Sequence, residues 1–380
     1  MTWKECGQVV RLTRTYMKCV IENTELSSPE GTRRQFNGSK ADIKLGIDVH
    51  QEFYVVVEQE GGGNPKPPQR LKKEAFLPWA AKLRKRAGQV HAVYEACGFG
   101  FGLQRQLSAL GITCYVVCPQ KLDERKRRVK TDGLDAKALC LKLDRFVQGN
   151  KDALALVRVP SEEEEQLRAI HRQREQLVKA RKQLEAQGRC LMVNHGVEPV
   201  KSWWKPRTFA QLPVPAWLKE LLCNSQPILL ALEAKIRALS VQLQNAAGAN
   251  QPRGLGAMSS VVIDREVGNW DRFSNRRRVG SYTGLCPGEQ SSGKTRMQTS
   301  VTKHGNPRLR AALVETAWRL VRFQPKYKPI LKWNEVLRKG ALATSAARKK
   351  AIVAVARQLA IDLWRIRTGR VRAEQLGLSN

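Results

Sequence analysis

No stretch of this sequence approaches the roughly 18 consecutive apolar residues of a membrane-spanning helix, so a membrane role is not expected. The N-terminal region also lacks the continuous hydrophobic core of a secretory signal, and secretion is not expected either. The nine cysteines, an odd number at irregular spacings, form no disulfide framework and read as reduced intracellular thiols. Cys114 and Cys118 share one face of an expected strand, but no second pair completes a zinc site, and buried thiols are the expectation. Gly98-Phe99-Gly100-Phe101-Gly102 follows a strand and opens a helix, yet it lacks the last glycine of a dinucleotide loop. The next strand ends at Cys118-Pro119 with no acid for a ribose, so a nucleotide cofactor is set aside.

The scarcest property is negative charge. Asp and Glu total 34 against 67 Lys and Arg, a formal net charge of +33. That excess far exceeds what solubility needs and repels itself unless a polyanion neutralises it. Nucleic acid is the obvious partner, and a cytoplasmic or nucleoid-associated protein is expected. What is present in quantity is core material: with 42% hydrophobic residues over 380 positions, the chain can bury one substantial core and has enough for two.

Residues 1–42 are polar and turn-rich and read as a weakly ordered extension. Ile43 to Asp48 and Phe53 to Val57 read as strands joined by a short polar turn, a hairpin signal. Pro65 to Pro68 mark a loop, Phe76 to Arg86 a helix, Val90 to Tyr94 a strand, Leu103 to Leu110 a helix and Ile112 to Val117 a strand. This order predicts a mixed α/β sheet over residues 43–150. After Pro160 a long helix opens at Ser161 with acids in its first turn. Ile170, Leu177, Leu184 and Leu191 recur every seven residues, and Leu229, Leu232, Ile236, Leu239 and Leu243 at alternating three and four. These are coiled-coil seams or the faces of two amphipathic bundle helices, and the segment Trp203 to Trp217 makes the bend between them. Residues 151–249 are thus a helical arm. Residues 250–380 begin with an apolar stretch to Val267, pass through a loop-rich segment from Gly284 to Asn306, and continue as helices to about 367.

Two acids sit where hydrophobic strands end, Asp48 in Leu45-Gly46-Ile47-Asp48 and Glu95 in Val93-Tyr94-Glu95-Ala96. Two more, Asp132 and Asp135, lie three apart at the start of a helical run, so both face one side. Taken singly, each acid reads as a cap or a surface charge. Four converging carboxylates would repel one another unless divalent metal offset them, and two Mg²⁺ about 3.5 to 4 Å apart are the usual arrangement for phosphodiester chemistry.

Gly46-Ile47-Asp48, Tyr94-Glu95-Ala96 and Lys130-Thr131-Asp132-Gly133-Leu134-Asp135-Ala136, in this order and at these intervals, resemble the RuvC-like, RNase H-like domain of the DEDD transposases. That group includes the Piv/MooV DNA invertases and insertion-sequence recombinases guided by a bridge RNA. The resemblance covers about 43–150 and resumes over about 250–325. There Tyr282-Thr283-Gly284-Leu285-Cys286-Pro287, Ser291-Ser292-Gly293-Lys294 and Thr302-Lys303-His304-Gly305-Asn306 resemble the family's C-terminal transposase domain. The resemblance implies a serine nucleophile that attacks a DNA phosphate and holds a phosphoserine linkage. Ser292, immediately before Gly293, is the first choice and Ser291 the fallback. A serine hydroxyl is a weak nucleophile that needs a base, a metal or a cationic field, and Lys294, Arg296, Lys303 and Arg308 are candidates for the last. The resemblance also implies a composite active site completed between subunits, hence a homo-oligomer, at least a dimer and expected to be a tetramer on DNA. The implied partners are donor and target DNA and a bridge RNA.

The basic run Lys121 to Lys130 leads directly into Asp132 and suits a phosphate backbone. Arg276-Arg277-Arg278 and Arg348-Lys349-Lys350 are similar runs, and residues 253–267 resemble a degenerate helix-hairpin-helix. His50 and His304 lie near the proposed sites and read as incidental. The sequence therefore predicts an insertion-sequence recombinase with metal ligands Asp48, Glu95, Asp132 and Asp135. The rivals are a RuvC-like junction nuclease that hydrolyses with water and an inactive nucleic-acid-binding protein of the same fold. The extension before the first strand departs from the family pattern.

Overall fold

A computed structural model of the chain describes residues 40–119, 131–248, 251–292 and 295–379. They fall into two units divided between Val159 and Pro160.

The first unit is built on β1 (Ile43–Val49), a strand buried on both faces over its first five residues. It pairs antiparallel with β2 (Phe53–Glu60), and β2 pairs antiparallel with β3 (Gln69–Lys72). On its other side β1 runs parallel to β4 (Val90–Glu95), and β4 parallel to β5 (Thr113–Val117), giving the order β3-β2-β1-β4-β5 in a five-stranded mixed sheet. Strand alternation sends Ile43, Leu45 and Ile47 to one face. There α1 (Lys73–Arg86) covers them with Phe76, Ala80 and Leu83, and α2 (Gly102–Ala109) with Leu103 and Leu107. The opposite face, carrying Val55, Val57 and Val93, is covered by α3 (Asp132–Val147) through Ala136, Leu139, Cys140 and Leu143. Coverage on both faces is why Phe53 to Val57 of β2 reads as a continuous apolar run, whereas β1 carries Lys44 on the α3 side, buried and paired with Asp144 at 2.7 Å. Strand β3 was not expected from sequence: it is four residues long and largely exposed, so it carries no apolar alternation to read.

The second unit opens with α4 (Glu162–Asn194), whose start is a capping box. The Ser161 hydroxyl accepts from Glu164 N at 3.1 Å, and the Glu164 carboxylate accepts from Ser161 N at 3.0 Å. After α5 (Pro206–Ala210), α6 (Ala216–Asn245) runs back antiparallel to α4, tied by Arg174 to Ser240 at 2.7 Å and Arg181 to Glu233 at 2.5 Å. Leu222, Leu229, Ile236 and Leu243 of α6 are buried at every seventh position. On α4 the expected seam residues Leu184 and Leu191 are only partly buried, and the fully buried positions are His171, Gly188 and Met192. The bend is a small core of its own. Trp203 packs on Gly188, where an added Cβ would meet its ring at 2.3 Å, and its Nε1 donates to Glu185 O at 3.0 Å.

A second helical core follows from α7 (Ala257–Val267), α8 (Arg276–Thr283), α9 (Pro307–Phe323), α10 (Lys328–Lys332), α11 (Asn334–Leu337) and α12 (Ser345–Arg367). Leu313, Ala317 and Leu320 of α9 pack with Ala351, Val355 and Leu359 of α12. The segment expected to be loop-rich holds a hairpin instead, β6 (Pro287–Ser292) with β7 (Thr295–Val301). Its strands are built of Ser, Gln, Thr and Arg and are almost wholly exposed, so no hydrophobic period announces them. Among the described residues no helix is long and apolar enough to cross a membrane.

Candidate metal centre and serine hairpin

Asp48 lies near the end of β1 and Glu95 ends β4. The strands run in parallel register up to Ile47 beside Tyr94, so the two acids follow side by side. By alternation Asp48 shares the face of Gly46, and Glu95 that of Val93, which is the face covered by α3. Gly46 is what lets α3 approach so closely. A Cβ there would meet Ala136 O at 2.1 Å and Cys140 N at 2.5 Å, both backbone atoms of the helix. The first turn of α3, carrying Asp132 and Asp135, is thereby seated over the ends of β1 and β4. Gly133 has the same role outward, since a Cβ there would meet Pro68 at 2.8 Å.

A histidine completes this group. His50 Nε2 lies 3.3 Å from an oxygen of Asp48 and 3.3 Å from an oxygen of Asp132. Ligand atoms from Asp48, His50 and Asp132 all fall within 4.8 Å of one another. Burial pushes the Asp48 carboxyl above its usual range, His50 pulls it back, and the like charges of Asp132 and Asp135 push it up further. Opposed ligands of a small divalent ion stand about 4.2 Å apart, twice a bond of about 2.1 Å. The donor set therefore fits a divalent cation, which would also offset the carboxylate repulsion. Asp135, one turn along α3, is close enough to act on Asp48 electrostatically. Glu95, at the neighbouring strand end, is half-buried and lies outside the tight group. His50, read from the sequence as lying near the site but incidental, is the addition to the group, and its sequence signal is its place two residues after Asp48.

In the second unit the loops around the hairpin are held by a buried acid. Glu266 of α7 is fully buried and accepts from His171 at 2.7 Å, Arg172 at 2.8 and 3.0 Å, and Asn306 Nδ2 at 2.6 Å. Burial alone would raise its pKa, but these hydrogen bonds outweigh burial and hold the carboxyl far below its ordinary range. Asn306 also caps α9 by accepting from Arg308 N and Leu309 N, each near 3 Å. Gly284 and Gly305 cross at the hairpin base: a Cβ on Gly305 would meet Gly284 N at 2.5 Å. The Arg310 guanidinium donates to Lys303 O at 3.3 Å beside that crossing.

Ser291 and Ser292 lie at the far end of β6, paired with Arg296 and Thr295. Both are exposed. The Ser291 hydroxyl donates to Glu289 at 2.7 Å, and Arg296 donates to the same carboxylate at 2.9 Å, which together hold Glu289 below its usual range. Ser292, on alternate parity, faces away from that pair. Two of the cations expected to form a phosphate field are thus committed elsewhere: Arg296 pairs with Glu289, and Arg308 with Glu175 at 2.6 Å. Lys294 and the basic run Lys121 to Lys130 lie outside the described residues. Arg276, Arg277 and Arg278 are exposed on the first turn of α8, capped by Asn275. Cys114 is buried, with its thiol pushed up to about 12, whereas Cys118 lies past the end of β5 and is exposed rather than buried.

Comparison with known proteins matches both units. Residues 45–195 match a transposase family model of the DEDD type of IS110, and residues 250–331 match the model described as the transposase IS116/IS110/IS902 family. A Sinorhizobium fredii protein designated transposase y4rJ is 31% identical over 325 residues, covering 76% of this chain and 81% of that relative. The transposase for insertion sequence element IS1111A of Coxiella burnetii is 25% identical over 353 residues, covering 87% of this chain and 91% of that relative.

Proposed function

The chain belongs to the IS116/IS110/IS902 family of insertion-sequence transposases, and from that premise we propose that Asp48, Glu95, Asp132 and Asp135 are its metal-binding carboxylates and Ser292 its nucleophile. The observation that carries the first half is the seating of α3 on Gly46, which brings Asp132 to Asp48 across 3.3 Å contacts with His50. A divalent ion held there would stabilise charge on the oxygens of a DNA phosphate. The carboxylates would hold that ion, and the Ser292 Oγ attacks phosphorus to form a phosphoserine ester while its proton passes to the departing DNA oxygen, which leaves as a hydroxyl. Attack by the freed DNA end of a second segment on that ester restores a phosphodiester and the serine hydroxyl. Donor and target segments would be exchanged in this way. The domain is read as RNase H-like, α4 and α6 as a coiled-coil arm that joins subunits, and a bridge RNA as the source of target choice. The buried sevenfold spacing on α6 supports the arm, and the charge of +33 supports a large nucleic-acid load.

A second assignment of the nucleophile has one observation in its favour. Ser291, not Ser292, has a carboxylate poised on its hydroxyl, Glu289 at 2.7 Å, a ready proton acceptor. The test is incubation with insertion-sequence ends, Mg²⁺ and co-purified RNA, followed by a denaturing gel. A covalent protein–DNA adduct that Ser292→Ala removes and Ser291→Ala retains supports the first assignment, and the reverse supports the second. Cleavage without any adduct, unchanged in both variants, would establish hydrolysis by water. Cleavage unchanged by Asp48→Ala would overturn the metal-centre reading.

A further inference from the structure

The carboxylate cluster is built with a nitrogen donor in its midst, and the local fold explains why it stands there. β1 and β2 are joined by the three residues His50, Gln51 and Glu52. His50 N donates to Phe53 O at 3.1 Å, closing the turn and fixing where the imidazole starts. The ring then stacks on Phe53 with centroids 4.6 Å apart and planes 27° from parallel, and the Arg70 guanidinium caps the Phe53 ring at 3.5 Å. A ring gripped in this way cannot swing freely. Its Nε2 is buried from solvent and equidistant from Asp48 and Asp132, but it sits off the line of a good hydrogen bond to either. A nitrogen shielded from solvent and aimed between two carboxylates, at long contacts to each, is placed to share a third object with them.

We propose that His50 Nε2 is a direct ligand of the cation held by Asp48 and Asp132, and that this nitrogen shifts the site's preference from Mg²⁺ toward Mn²⁺. The inference rests on the metal-centre reading above and adds to it a ligand of a different kind. Mg²⁺ prefers an all-oxygen octahedral shell, whereas imidazole suits transition ions. The three donors lie within 4.8 Å of one another, a span one ion bridges after small rotations of the side chains.

Full-length protein titrated with Mn²⁺ alone, followed by electron paramagnetic resonance, tests this without reference to catalysis. The bound ion should show nitrogen-14 modulation in the pulsed experiment. His50→Gln should abolish the modulation, weaken Mn²⁺ at least about tenfold, as loss even of an outer-shell partner does, and leave Mg²⁺ affinity, read by displacement of Mn²⁺, changed by less than that. His50→Gln with an unaltered circular dichroism spectrum makes the comparison fair. Asp48→Asn separates the two ideas. If Asp48→Asn abolishes Mn²⁺ binding while the unaltered protein shows no nitrogen signal, the ligand role of His50 is wrong and the carboxylate centre stands. If Mn²⁺ binding survives Asp48→Asn unchanged, both fall.

Discussion

Asp48 stands near the end of a strand buried on both faces, with a helix backbone pressed against Gly46 two residues before it, whereas Ser292 stands at the end of an exposed strand that, among the described residues, pairs with another exposed strand alone. In the first region geometry comes from packing. The sheet's register sets Asp48 beside Glu95, and α3 delivers Asp132 and Asp135 across a contact too tight for a methyl group. In the second region geometry comes from the base of the hairpin. Glu266, Asn306 and the crossing of Gly284 with Gly305 fix where β6 leaves and β7 returns, and the serine end is carried by the strand pairing and the exposed contacts of Ser291 and Arg296 with Glu289. In the proposed reading, a metal centre needs donors that hold distances to fractions of an ångström, which a densely packed interior supplies, and a nucleophile that must reach a phosphate on a large substrate is served by an exposed arm.

The largest expected effects show whether both regions serve one reaction. Asp48→Asn and Ser292→Ala should each lower strand transfer by about a thousandfold or more, as loss of a central catalytic group does. The difference should appear in the adduct. Ser292→Ala leaves metal binding intact, and Asp48→Asn removes it, both read by calorimetric titration with Mn²⁺. Because Asp48 is pushed above its usual range, Asp48→Asn should also melt no lower than the unaltered protein when metal is absent.

Glu266→Ala comes next. It strips a fully buried acid from His171, Arg172 and Asn306 and should destabilise the second unit by about 3–5 kcal/mol, measured by urea unfolding. The same group gives a pH signature. A carboxyl held below its unfolded value stabilises fully above the ordinary carboxylate range. The Glu266 contribution should therefore be intact at neutral pH and fade as pH falls below about 4.5. Glu266→Gln should flatten that slope, and an unchanged slope would remove Glu266 as the clamp of the hairpin base.

Gly46→Val is the sharper test of the first region. Overpacking at a backbone contact should cost about 1–3 kcal/mol and weaken Mn²⁺ binding although no ligand is touched. Smallest of all, Met297→Ala on the exposed face of β7 should change stability by no more than about 0.5 kcal/mol. If Met297→Ala unfolds the second unit, the hairpin belongs to a core and the contrast drawn here fails.

The unequal legibility of the two regions has the same cause. β1, β2, β4 and β5, with α1 and α2, were readable because burial on one or both faces writes itself as apolar runs and alternation. The four acids were readable because each stands at a strand end or in a helix's first turn within a short recognisable motif. β3 and the β6–β7 hairpin were invisible, since exposed strands of Ser, Thr, Gln and Arg carry no burial pattern. The long helices were legible in extent, but the fully buried positions on α4 are His171, Gly188 and Met192 rather than the expected Ile170, Leu177, Leu184 and Leu191. Gly188 is buried because the Trp203 ring is seated against it. His50 reads as incidental in the sequence because a lone histidine carries meaning only through what surrounds it, and that depends on a three-residue turn and a stack on Phe53.

The seating of α3 on Gly46 has one more consequence. Because the two nearest atoms of α3 facing Gly46 are main chain, the approach of the helix to β1 has no long side chain at that point to grow, shrink or change rotamer. Substitutions elsewhere in the core, such as at Leu139 or Leu143 further along the helix, can therefore accumulate and alter how firmly the helix is held while leaving the interval between its first turn and the strand end unchanged. Thermostability and cation spacing are in this way separately adjustable, and an engineer seeking a hardier variant has the rest of the α3 interface to work with, provided position 46 keeps its hydrogen.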